Sequence, residues 1–258
     1  MTQKEIIDNL NNEIADIIRV ENLIPLAGKD LSFNLNGKQI LSWHNEVTRH
    51  CSIFHNGHFS YLKNLDDIIF SSDEIVYFTA HLFLYAPYIN TPLKDAYRSG
   101  EKMIYPVFTN LYGKRYDMYL GIVFEKVYNY WDRIGDLIAS FFPELFSGNI
   151  FFPKTIKTLE IEYAGNENYD WLLNFLNNDF TKFNEQRIQI VHYFSKSTNQ
   201  KWEQLNQVWD YEKSKQHTDQ ILSYPGYFKE MNEISKIGFE KTLLFLEEVN
   251  RRKNYNCG

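Results

Sequence analysis

Arg187 and His192 are the residues whose types and spacing in this chain could do chemistry. They stand in the stretch 177–196, NNDFTKFNEQRIQIVHYFSK, which contains neither Gly nor Pro. It opens on Asn177, Asn178 and Asp179, residue types that cap helix starts. On a helical wheel Phe180, Phe183, Ile190, Val191 and Phe194 share one face, as an amphipathic core helix requires. Arg187 falls in the middle of that apolar face. A guanidinium cannot give up its charge, so there it must meet a carboxylate, a phosphate or water. His192 falls about 140° further round an α-helix, on the side shared with Thr181, Glu185, Gln189 and Lys196.

A histidine is the side chain best suited to move a proton near neutral pH, and an arginine to hold a charged phosphate. Cutting RNA without a metal needs a base for the 2′-OH, an acid for the leaving oxygen and positive charge at the phosphorus. One His and one Arg supply half of that set. Two such helices meeting across a two-fold axis would supply all of it. Asn184, Gln189 and Tyr193 flank the pair and can contact the phosphate or base of an RNA. The plainer reading makes Arg187 a core residue salt-bridged to Asp132 or Glu162, with His192 a solvated helix residue.

His44, His50, Cys51, His55 and His58 crowd another segment, and Arg49 with His55 repeats an Arg–His spacing there. Structural zinc sites usually present two ligand pairs at short spacing, and no second Cys lies nearby. The segment reads as a polar loop, with no metal expected. No GxxxxGK[ST] or GxGxxG loop is present, so no cofactor is expected either. Cys51 and Cys257 read as free thiols. Arg251, Arg252 and Lys253 complement the dipole at a helix end.

The elements that must position these residues are almost all helical. Apolar spacing predicts a helix over 4–22 and a hairpin over 31–43 turning at Asn36-Gly37, followed by a connector. The same spacing predicts a further run over 62–70 and, after the capping run Ser71-Ser72-Asp73-Glu74, a helix to about 85, with a mostly helical segment over 93–110. It predicts a long helix over 114–142, a less regular segment over 148–163 and a short helix over 169–177, leading into 177–196. A helix over 202–215, a break at Pro225-Gly226 and a final helix over 227–252 complete the chain. The expected fold class is all-α, helix packed on helix, with at most one small β-hairpin. Residues 1–112 read as a mostly helical extension packed on a bundle formed by 113–253.

With 258 residues, 44% hydrophobic and 17% aromatic, the chain has ample material for a packed core. Its longest apolar runs are too short to span a bilayer, so no membrane partner is expected. The N-terminal residues carry no signal-peptide pattern, and with two distant cysteines this sets the expectation of a reducing cytoplasm. A net charge of −6 excludes general adhesion to nucleic acid, so any RNA must be captured at a local positive site.

Arg187-x4-His192 on such a helix resembles the R-x(4–6)-H signature of the HEPN superfamily, the higher eukaryotes and prokaryotes nucleotide-binding domains. The run YNYWDRIGDLI over 128–138 resembles a helix of the larger bacterial HEPN families. The likeness covers roughly 114–252 and implies a HEPN-like helical bundle. It further implies a homodimeric, metal-independent endoribonuclease with Arg187 and His192 at a composite cleft and Asp132 supporting Arg187. A toxin or anti-phage role and an antitoxin or regulatory partner follow from the likeness alone. The alternative it allows is a catalytically silent HEPN module that binds RNA, a nucleotide or a protein. HEPN nucleases usually carry a polar residue directly after the Arg, where this chain has Ile188. Toxin-type members often carry a Tyr two residues after the His, where this chain has Phe194.

Overall fold

The computed structural model describes residues 2–27, 34–49, 61–107, 109–146, 149–193, 196–206 and 209–255; within these, 61–62, 192–193, 196–197, 205–206 and 253–255 are described by backbone alone. The described residues are overwhelmingly helical. In chain order they form α1 (Gln3–Val20), the hairpin β1 (Asn34–Leu35) and β2 (Lys38–Gln39), α2 (Ile40–Thr48) and α3 (Tyr61–Tyr85). A second hairpin follows, β3 (Tyr97–Ser99) and β4 (Lys102–Ile104), then α4 (Leu111–Ala139), α5 (Phe152–Tyr163) and α6 (Glu167–Phe175). Next come α7 (Thr181–Ile188), α8 (Lys196–Asn206) and α9 (Tyr211–Tyr255), with π-helical turns at Leu176–Phe180 and Gln189–Tyr193 on either side of α7.

Local chemistry explains several boundaries. Thr2 and Glu5 form a capping box at the start of α1. That helix ends where Asn22 takes a left-handed φ of 52°, with the Leu23 N–H donating back to the Ile18 carbonyl. The expected turn at Asn36-Gly37 is present, and φ values of 51° and 72° are those a two-residue hairpin loop demands.

Five expectations need correction. The capping run over 71–74 lies inside the continuous α3, where the Ser72 hydroxyl oxygen accepts the Leu26 N–H instead of starting a helix. A second hairpin lies where a helix was expected over 93–110, because Gly100, at a φ of 62°, turns the chain between two short strands. The residues after β2 form α2 rather than a connector, started by Gln39, whose side chain accepts from the Ser42 N–H. Asn177, Asn178 and Asp179 do not begin a helix, since α6 passes through the π turn Leu176–Phe180 directly into α7. Pro225-Gly226 does not break the chain, and α9 runs through it from Tyr211 to Tyr255. Pro225 has no N–H for the Ile221 carbonyl, but the Tyr116 hydroxyl donates to that oxygen at 2.6 Å and takes the missing place.

The chain divides into two compact units. The first comprises Met1–Leu23, Ile75–Glu125 and Gln186–Met231. There Ile14, Leu23, Val76 and Ala80 form one buried cluster, and Phe124 packs edge-to-face on Phe228 with centroids 4.9 Å apart. The second comprises Ile24–Glu74, Lys126–Glu185 and Asn232–Gly258. Its core centres on Trp131, fully buried and stacked on Phe175 at 4.1 Å. Gly238 makes room for that indole, since a Cβ at 238 would stand 2.1 Å from Trp131 Cη2.

Candidate functional site

Arg187 lies in the last turn of α7, where its side chain is 11% exposed. The expected burial is therefore present, and so is a carboxylate partner. That partner is Glu125 on α4, whose Oε1 and Oε2 lie 2.9 and 3.1 Å from Arg187 Nη2. A buried arginine held by a half-exposed glutamate balances its charge without displacing the core around it. Asp132, two helical turns further along α4, accepts the N–H of Phe152 at the start of α5 at 3.2 Å. Glu125 is the residue the sequence argument missed. The spacing of seven between Glu125 and Asp132 puts both on one stripe of α4, which was the available signal.

His192 and Tyr193 fall in the π turn Gln189–Tyr193, and their side chains, like Phe194 as a whole, lie outside the described residues. A turn closed by i→i+5 bonds holds more residues than an α turn. The separation of about 140° computed for an ideal α-helix therefore does not carry across this segment. The Gly-free, Pro-free sequence gave no warning of the change. Phe180 and Phe183 are fully buried as expected, while Val191 is exposed. Asn184, on α7, is partly buried, and its Oδ1 has no hydrogen-bond partner among the described residues. Gln189 is exposed.

Gln189 and Ile190 form one wall of a cavity of about 280 Å³. The other walls are Asn199, Gln200 and Glu203 from α8, and Lys213, Gln216, His217 and Gln220 from the start of α9. Trp209 closes the floor, 3% exposed, with the His217 ring edge-on against it at 5.0 Å. Lys213 sits 5.4 Å over the same indole and lies 3.3 Å from Glu203. Residues 213, 216, 217 and 220 repeat at helical spacing, a polar stripe that was legible in the sequence and was passed over.

Of the histidine-rich segment, 50–60 lies outside the described residues. His44 is fully buried in α2, and burial lowers its pKa to about 4, so it stays neutral. Among the described residues no group of three or more His, Cys, Asp or Glu is placed to hold a metal ion. Among them, too, no helix is long and apolar enough to cross a membrane.

The helical architecture and the Arg187–His192 segment on α7 and its π turn describe a HEPN-type protein. The family model of the Cthe2314-like HEPN family matches residues 61–247, from the start of α3 to near the end of α9. The chain belongs to that HEPN family. No curated protein and no solved structure matches it.

Proposed function

We propose that this chain is a metal-independent endoribonuclease whose site is completed by a second copy of itself. Arg187 is the phosphate clamp and His192 the proton-transfer group, and two copies provide the base and the acid. The observation that carries this reading is a buried arginine on α7 followed by a histidine in the adjoining π turn, in a HEPN chain. Asn184, Gln189 and Tyr193 contact the RNA, and Glu125, in place of the expected Asp132, supports Arg187 from α4. A toxin or anti-phage effector with a protein regulator is the biological setting that fits such an activity, and the cytoplasm its place.

The test is cleavage of a labelled RNA by purified protein. Products should end in 2′,3′-cyclic phosphate and 5′-hydroxyl, because the neighbouring 2′-OH is the nucleophile. EDTA should leave the rate unchanged, since the proposed chemistry uses no metal. His192→Ala and Arg187→Ala should each be inactive, and mixing them should restore part of the activity through heterodimers. Full activity of His192→Ala alone would refute the reading.

One observation favours a second reading, a catalytically silent module that binds RNA, a nucleotide or a protein partner. Glu125 already occupies Arg187 Nη2, and a phosphate approaching that nitrogen must compete with it. Glu125→Gln removes the competing charge. Under the nuclease reading it raises RNA affinity and retains cleavage; under the silent reading neither parent nor variant cuts.

A further inference from the structure

The chemistry assigned to Arg187 and His192 leaves the cavity beside Gln189 unused. Five of its lining side chains are amides: Gln189, Asn199, Gln200, Gln216 and Gln220. An amide presents a donor and an acceptor side by side and stays neutral at ordinary pH. Cationic recognition of a phosphate would call for Arg or an uncommitted Lys. Among the described residues the wall contains no Arg, and its Lys213 lies against Glu203. The floor of Trp209 and His217 is aromatic and nearly closed to solvent. A volume of about 280 Å³ lies at the small end of ligand pockets, which run from about 300 to 1,000 Å³. The space is large enough for one heterocycle.

We infer that this cavity is a nucleobase pocket that prefers adenine to guanine. The pocket reads the base on the edge that carries N7. There an amide pairs bidentately with the N6–H₂ donor and N7 acceptor of adenine, whereas guanine presents two acceptors, O6 and N7, and calls for Arg or Lys. Glu203, which could meet guanine's other edge, is held by Lys213. Base binding stands on the cavity alone. Assigning that base to the RNA that is cut rests on the nuclease reading, and Gln189 and Ile190 link the two, lying between Arg187 and His192 in the chain.

The experiment uses full-length His192→Ala protein, so that cleavage does not intrude, and follows AMP and GMP binding by saturation-transfer NMR and calorimetry. AMP should bind at least tenfold more tightly than GMP. The double variant Gln216→Ala/Gln220→Ala in the same background should weaken AMP binding at least tenfold. Both residues are exposed on α9, so the melting temperature should be unchanged. Inorganic phosphate should not displace AMP. Displacement by oligoadenylate assigns the pocket to an RNA strand; AMP binding that oligoadenylate leaves intact assigns it to a free nucleotide, and either upholds a base site. Absence of saturable AMP binding, equal AMP and GMP affinity, equal affinity in the double variant, or displacement by phosphate would overturn the inference. AMP binding in a protein whose wild type cuts no RNA would refute the nuclease reading alone.

Discussion

Arg187 carries two burdens that pull on the same guanidinium. Glu125 holds it within α4 and α7, and the proposed chemistry needs it to hold a phosphate. The stability share can be separated by substitution. Arg187→Ala leaves Glu125 facing a partly buried space with no counter-charge. The loss for a fully buried pair is about 3–5 kcal/mol, and the glutamate is 33% exposed. Solvent screening therefore brings the expected cost down to about 1–2 kcal/mol. Glu125→Gln in the Arg187→Ala background should recover most of it, since no charge is then stranded. Urea unfolding of the two single variants and the double variant closes this cycle. Additive losses would mean that the pair contributes nothing to the fold.

At the scale of elements, α9 continues through a proline because another helix repairs it. Tyr116, on α4 and 1% exposed, donates its hydroxyl to the carbonyl that Pro225 cannot serve. Burial raises the pKa of this phenol, which keeps the donor proton in place across the working pH range. Tyr116→Phe should therefore cost about 1–2 kcal/mol, the loss of one partner from a buried hydrogen bond. With Pro225→Ala the residue at 225 regains an N–H for Ile221, so Tyr116→Phe in that background should cost much less. Thermal melts of the four proteins measure the difference, and an equal cost in both backgrounds would refute the repair. The second hairpin has a similarly local cause. Gly100 carries the positive φ of its two-residue loop, and the two short strands pair in register from Tyr97 with Ile104 to Ser99 with Lys102.

The whole molecule is acidic, with a net charge of −6, and this bears on how RNA would be met under the proposed function. Binding through many lysines would give a steep loss of affinity with salt. A site that offers one arginine per copy and a neutral, amide-lined cavity gives a shallow one. Each phosphate neutralised on a single strand contributes a log–log slope of about −0.7. RNA binding to the His192→Ala protein should therefore show a slope of about −1 to −2. A slope steeper than about −4 would place the RNA on a broad basic surface instead. The same measurement across protein concentration reports whether binding requires two copies, as the proposed composite site would.

Helical periodicity was enough to establish the all-α class, the long α4 and the burial of Phe180, Phe183 and Arg187. Each depends on the spacing of apolar residues along one element, and the Asn36-Gly37 turn depends on two neighbouring residues. The Arg–His spacing, read with the helices around it, pointed to the HEPN superfamily. Sequence could not reveal that the carboxylate on Arg187 is Glu125. Glu125 and Asp132 lie on one stripe of α4, and only the packing of α7 against α4 decides which meets the guanidinium. Nor could it reveal that α9 survives Pro225, because the rescuing hydroxyl comes from Tyr116, distant in the chain. The π turns around α7 and the cavity joining Gln189 to α8 and α9 likewise depend on contacts between segments far apart in sequence. Local pattern determines which face a residue takes, while the partner it finds there is chosen by tertiary packing.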